Sequence, residues 1–135
     1  MTTATGIVPG ELRDLLERPL IANLATVRED GSPQVNPMWF GWDGEVLRFT
    51  HTNFRRKFRN ISANPAVAIS IVDPENPYRY VEVRGAVERI DPDPTGGYFR
   101  ELNARYSGPY GPDDPKDAAD RVILVVRPTA VGKRH

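Results

Sequence analysis

The chain has 135 residues, no cysteine, and eighteen basic against eighteen acidic side chains. That length fits a single domain spanning residues 1–135, and the lack of cysteine excludes disulfides, thiolate metal sites and cysteine nucleophiles. A net charge of zero argues against a nucleic-acid binder, which carries a basic surplus. No stretch approaches the roughly 20 apolar residues needed to cross a bilayer, so no membrane association is expected. The opening Met-Thr-Thr-Ala-Thr-Gly lacks the charged and apolar regions of a signal peptide, which makes the cytoplasm the expected location.

In chain order, Leu12, Leu15 and Leu16 share helical spacing over residues 11–18, and Pro19 stops that short amphipathic helix. Residues 20–27 have the length and apolar content of a buried strand. Asp30-Gly31 and Asp43-Gly44 are hairpin turn signals, because glycine supplies a positive φ. They bracket a strand over 34–42 and lead into another over 45–50, so the spacing predicts a three-stranded meander.

Residues 53–63 switch to a helical pattern, with Phe54, Phe58 and Ile61 on one face and four basic residues on the other, closed by Asn64-Pro65. A strand over 66–72, a proline-containing loop and a longer alternating strand over 78–90 follow. In the longer strand Gly85 suggests a bulge or a close backbone approach. A helix is expected over 94–106, then a mobile loop over 107–117 rich in proline, glycine and aspartate, and a last strand over 122–126. Six strands with frequent turn signals and three small helices predict a mainly β fold, a compact antiparallel barrel. A parallel sheet would need long helices alternating with the strands.

Two segments could carry chemistry. In the first, a strand ending in Thr50-His51-Thr52 runs into a basic cluster containing Arg55 and Lys57 at a helix start. Free N–H groups there, fixed positive charge and hydroxyl donors together make a phosphate cradle; a solvated basic helix face is the plainer alternative. In the second, Asn36, Pro37, Met38 and Trp39 sit where proline interrupts a strand ladder, and could wall and hydrogen-bond a planar ring. Phe40 and Trp42 read as ordinary barrel core. Tyr78 and Tyr80 could reach a bound ring or pack across strands. His51 and His135 are the only histidines, with no acidic cluster beside them, so no metal site is expected. No nucleophile elbow, Walker-type loop or dinucleotide fingerprint occurs.

Asp30-Gly-Ser-Pro-Gln, Met38-Trp-Phe-Gly-Trp-Asp-Gly44, Thr50 with Arg55-Arg-Lys57 and Asn60, Asn64-Pro65, and Tyr80-Val-Glu-Val-Arg-Gly85 occur in one characteristic order. In this the chain resembles the pyridoxamine 5'-phosphate oxidase-like split-barrel superfamily and, more narrowly, its coenzyme F420-dependent (deazaflavin) oxidoreductases, over residues 12–131. The resemblance implies a six-stranded antiparallel split β-barrel with short flanking helices, assembled as a homodimer with cofactor sites at the interface. The cofactor's phosphate-bearing tail would lie on Thr50, Arg55 and Lys57, with His51 and Thr52 beside them, and its ring over Asn36 to Trp39, within reach of Tyr80. Asn60 would hold the helix. The implied activity is hydride transfer between reduced coenzyme F420 and a small electrophilic organic substrate, with FMN as the alternative cofactor. No acid–base pair stands out as catalytic, and the C-terminal arginine and histidine motifs of a vitamin B6 oxidase are missing; Arg134 and His135 are a poor substitute.

Overall fold

The computed structural model describes residues 7–132; the opening six residues, and Arg134 and His135, lie outside the described residues. Among the described residues, seven strands form one antiparallel sheet: β1 (Ala22–Val27), β2 (Pro33–Met38), β3 (Gly41–Trp42), β4 (Leu47–Thr52), β5 (Ala66–Asp73), β6 (Asn76–Pro92) and β7 (Arg121–Gly132). Three short α-helices among those residues flank it: α1 (Asp14–Glu17), α2 (Arg56–Ala63) and α3 (Gly97–Arg105). The strand order is β2-β1-β5-β6-β7-β4-β3.

That order dictates the shape. β2 and β3 occupy opposite ends of the sheet, yet only Trp39 and Phe40 separate them in sequence. An extended chain covers at most about 3.6 Å per residue. The two ends must therefore come within about 11 Å of each other, and the sheet curls into a barrel that stays open between them. The strand read over 34–42 is thus two strands, which accounts for seven where six were expected. Its break has a local cause. Phe40 is fully buried, and its N–H donates to the Tyr106 hydroxyl at 3.1 Å rather than to a neighbouring strand. Trp39 turns out of the ladder and stacks on the Tyr106 ring at 5.3 Å.

Both hairpin turns form with left-handed glycines, Gly31 at φ 88° and Gly44 at φ 96°. The meander does not run on, however: β3 gives β4 only two paired residues, and β4 takes its main ladder from β7. Alternating residues build the core from the inward face. Leu24, Phe49, Ile69, Ile71, Val81, Val83 and Leu124 are buried there, with Leu15 and Leu16 of α1 beneath them. The outward face leaves Ile21, Val35 and Val72 exposed. Arg79 ties α1 to the β5–β6 hairpin through Asp14 and Asp73.

β7 extends six residues beyond the apolar run that announced it, through Arg127 to Gly132, because β6 offers a ladder along its whole length. The 107–117 loop is anchored at Tyr110: Asn103 donates to the Tyr110 carbonyl at 2.8 Å, and the Tyr110 ring lies 5.1 Å from that of Phe99.

Gly85 sits at a register shift between β6 and β7, where an added Cβ would lie 2.3 Å from the Arg127 carbonyl oxygen. The obstacle is backbone, which cannot step aside. Gly85→Ala is expected to destabilise the fold by about 1–3 kcal/mol, the usual cost of overpacking. Thermal unfolding would show this as a lowered Tm, and an unchanged Tm would mean that the bulge yields freely.

Candidate functional site

A groove of about 630 Å³ opens along the free edge of the barrel. β2 supplies Gln34, Asn36, Pro37 and Met38, and the end of β4 supplies His51. The connection into α2 and the first turn of that helix supply Phe54, Arg55 and Lys57. Gln34, Asn36 and Met38 pair with Thr26, Leu24 and Ala22, so they share the inward face of the sheet. Pro33 and Pro37 suit an edge strand, where a missing backbone donor costs no ladder bond.

The two candidate segments thus meet across one groove, although the chain arranges them differently from the simple cradle. Because side chains alternate along a strand, His51 falls on the same face as the buried Leu47 and Phe49, while Thr50 and Thr52 take the other. The two hydroxyls do not line the groove; they hold guanidiniums. Thr52 Oγ1 accepts from Arg55 Nε at 3.1 Å, and Thr50 Oγ1 accepts from Arg121 at 3.4 Å.

Lys57 is the decisive side chain. A solvated helix face is the plainer alternative to the phosphate cradle for this basic run, yet only 6% of Lys57 is exposed. Its Nζ donates to the Met38 thioether at 3.0 Å, and among the described residues no carboxylate pairs with it. Helix α2 begins at Arg56 rather than at residue 53, so Phe54 lies in the preceding turn, 58% exposed at the groove mouth and under the Arg55 guanidinium. Asn60 is buried and donates to Gln34 Oε1 at 3.2 Å, fastening α2 to β2.

Electrostatics follow from this geometry. Burial first, and the neighbouring Arg55 second, push the Lys57 ammonium down to about 8. Burial, with repulsion from Lys57, Arg55 and Arg121, holds the His51 imidazole down at about 4, so it is neutral near pH 7. The His51 Nε2 is buried without a hydrogen-bond partner. A thioether is a weak acceptor, and a buried cation with no anion is costly. The groove therefore has the donors and the charge to take an anion, with apolar walls at Pro37, Met38 and Phe54.

Two residues expected at the site lie elsewhere. Trp39 faces α3 and the 107–117 loop, packed with Tyr106, Phe99 and Tyr110. Tyr80 stands on β6 opposite Val72, on the outward face of the sheet. Three residues escaped the reading of the sequence. Gln34 could have been found two residues before Asn36, on the same strand face. Phe54 was assigned to the helix's buried side. Arg121 has no local signal, since only the pairing of β4 with β7 brings it beside Thr52. It is anchored there by Asp117, at 2.9 Å, and lies over the Phe99 ring.

A split barrel with a cationic groove along its open edge defines a class, and the comparisons agree. The pyridoxamine 5'-phosphate oxidase family model matches residues 8–135, and the chain belongs to that family. It is similar, at 66% identity, to the solved structure of a protein named F420 reductase, with a TM-score of 0.90 over 93% of this chain and 98% of that one. A conserved hypothetical protein of Mycobacterium tuberculosis shares the fold at 22% identity, with a TM-score of 0.72 over 97% of this chain and 88% of that one. General stress protein 26 of Bacillus anthracis does so at 23% identity, with a TM-score of 0.67 over 90% and 88%. No curated protein matches the chain. Among the described residues no helix is long and apolar enough to cross a membrane.

The sign of the pH dependence is fixed by the two depressed values. Folding lowers Lys57 from 10.5 to about 8, so the unfolded chain holds more protons between those values and stability rises with pH across that window. His51, lowered from 6.5 to about 4, makes stability fall as the solution is acidified through that range. Lys57→Met is expected to stabilise the ligand-free protein by about 1–3 kcal/mol at neutral pH and to remove the alkaline rise. Melting curves at a series of pH values test this; a less stable variant would make Lys57 a structural residue.

Proposed function

We propose that the protein is a cytoplasmic, coenzyme F420-dependent oxidoreductase that transfers a hydride between the reduced deazaflavin and a small electrophilic organic substrate, acting as a homodimer. One observation carries the reading: the Lys57 ammonium is buried in a groove with only a thioether for company. A fixed, desolvated positive charge that no described residue neutralises is what an anionic tail would complete. The residues present fit such a group, and similarity to the F420 reductase structure supports deazaflavin over flavin.

In this reading Lys57 and Arg55 hold the tail, with Thr52 keeping the Arg55 guanidinium in place. Asn36, Pro37 and Met38 carry the ring along the β2 edge. When bound, the cofactor supplies the hydride chemistry, and the chain contributes position, charge and exclusion of water. That division needs no acid–base pair from the chain, because placement of two reactants can account for much of a rate. The exposed Ile21, Val35 and Val72 on the outward sheet face support pairing with a second copy, which would bring the partner's outward residues towards the groove. FMN stays as the second reading, since the family is that of pyridoxamine 5'-phosphate oxidase and a phosphate tail suits the same cations.

Side-by-side titration of cofactor-free protein with coenzyme F420 and FMN tests the proposal. Tighter binding of coenzyme F420 is expected, and binding of neither would overturn the reading. Replacing Lys57 or Arg55 by alanine should weaken binding by about 1.5–3 kcal/mol each, the scale of a hydrogen bond to a charged group. Affinity should also decline as the pH rises through about 8, where Lys57 loses its proton; a flat profile would remove Lys57 from the contact.

A further inference from the structure

Next to the groove, and sharing Pro37 and Met38 with it, is a second hollow of about 380 Å³, completed by Ile21, Trp39, Phe99 and Tyr110. Its chemistry is the opposite of the groove's. His51, Arg55 and Lys57 line the groove, whereas the hollow has no ionisable acid or base except the Tyr110 phenol. We infer that this hollow receives the hydride acceptor, and that it selects a flat, uncharged compound of one or two rings. The inference rests on the cofactor reading above and gives that site its substrate class.

Three observations carry it. The first is contact: a ligand in the hollow touches the same Pro37 and Met38 that would carry the cofactor ring, and transfer between two reactants requires them to abut. The second is selectivity. Trp39, Phe99 and Tyr110 offer π faces and edges, on which planar rings gain more than puckered ones of equal size. A charged substrate would find no partner in the hollow for the hydration it gives up.

The third is preorganisation. The Trp39 ring is fixed by stacking on Tyr106, whose hydroxyl donates to the Leu20 carbonyl at 2.6 Å and accepts from the Phe40 N–H. An added Cβ at Gly108 would lie 2.6 Å from the Trp39 ring, so the loop presses directly on it. Tyr110 is clamped through its backbone to Asn103, and the residue is 58% exposed at the mouth. The volume of about 380 Å³ admits a bicyclic compound. Ile21 and Pro37 form the outer lip, on the sheet face where a second copy would add a further wall.

Direct binding decides the matter without turnover. The cofactor-free protein is titrated by calorimetry with naphthoquinone and with the saturated, puckered decalindione of the same size. The expected result is about tenfold tighter binding of the quinone, and about fivefold weaker quinone binding by Tyr110→Ala with the affinity kept by Tyr110→Phe. Tyr110 is exposed, so both variants should fold, and their melting curves check that. Equal binding of the two compounds, or an unchanged Tyr110→Ala, would overturn the inference. Neither result depends on which cofactor the groove takes, so failure here is separable from failure of the cofactor titrations.

Discussion

The molecule is organised around an unpaid electrostatic debt. A lysine is buried at the edge of the groove, against sulfur, with an arginine beside it and, among the described residues, no carboxylate paired with either. Removing an ammonium from water without a counter-charge opposes folding. The chain tolerates this because the surrounding framework is fixed by other means. β2 is bound to α2 through Gln34 and Asn60, and Arg55 is held by Thr52. A ligand that brings the missing negative charge would offset that cost, so the energetics of the groove as well as its shape support the proposed site.

The framework itself depends on two residues. Trp39 and Phe40 carry the chain from one end of the sheet to the other, and the barrel closes around that step. Phe40 goes inward to the core, and Trp39 goes sideways to the aromatic cluster. β2 is thereby left as an edge, with one flank unpaired and free to border a ligand. The same step divides the surface into the cationic groove on one side of Met38 and the aromatic hollow on the other. Backbone topology and the polarity of the two sites thus have a common origin.

Much of this was legible in the sequence. Asp30-Gly31 and Asp43-Gly44 mark real turns, Gly85 marks a real bulge, and the segments from Asn36 to Met38 and from His51 to Lys57 do share a groove. These signals are local: a φ value, a missing Cβ, an alternating strand. What the sequence concealed was long-range. The break at Trp39–Phe40 requires a tyrosine 66 positions later, and the recruitment of Arg121 requires a pairing across most of the chain. The burial of Lys57 was hidden because charge counts as a solvent signal wherever a packed partner cannot be seen. Tyr80 was drawn to the site by its motif, whereas period-two alternation sends it to the outward face.

The two titrating groups also set how the groove behaves in a cell. His51, held at about 4, is neutral throughout the range above it, and Lys57 keeps its proton until about 8. Between those limits the charge of the groove is constant. A histidine with an ordinary value would have changed the local charge near neutrality; burial first, and the repulsion of three neighbouring cations second, prevent that here. Those neighbours therefore do two things at once: they supply attraction for an anion, and they reinforce burial in keeping the adjacent imidazole neutral. On the proposed function, a redox site whose hold on its ligand must not vary with small pH changes gains from this arrangement, which follows from burial and charge placement, with no moving part.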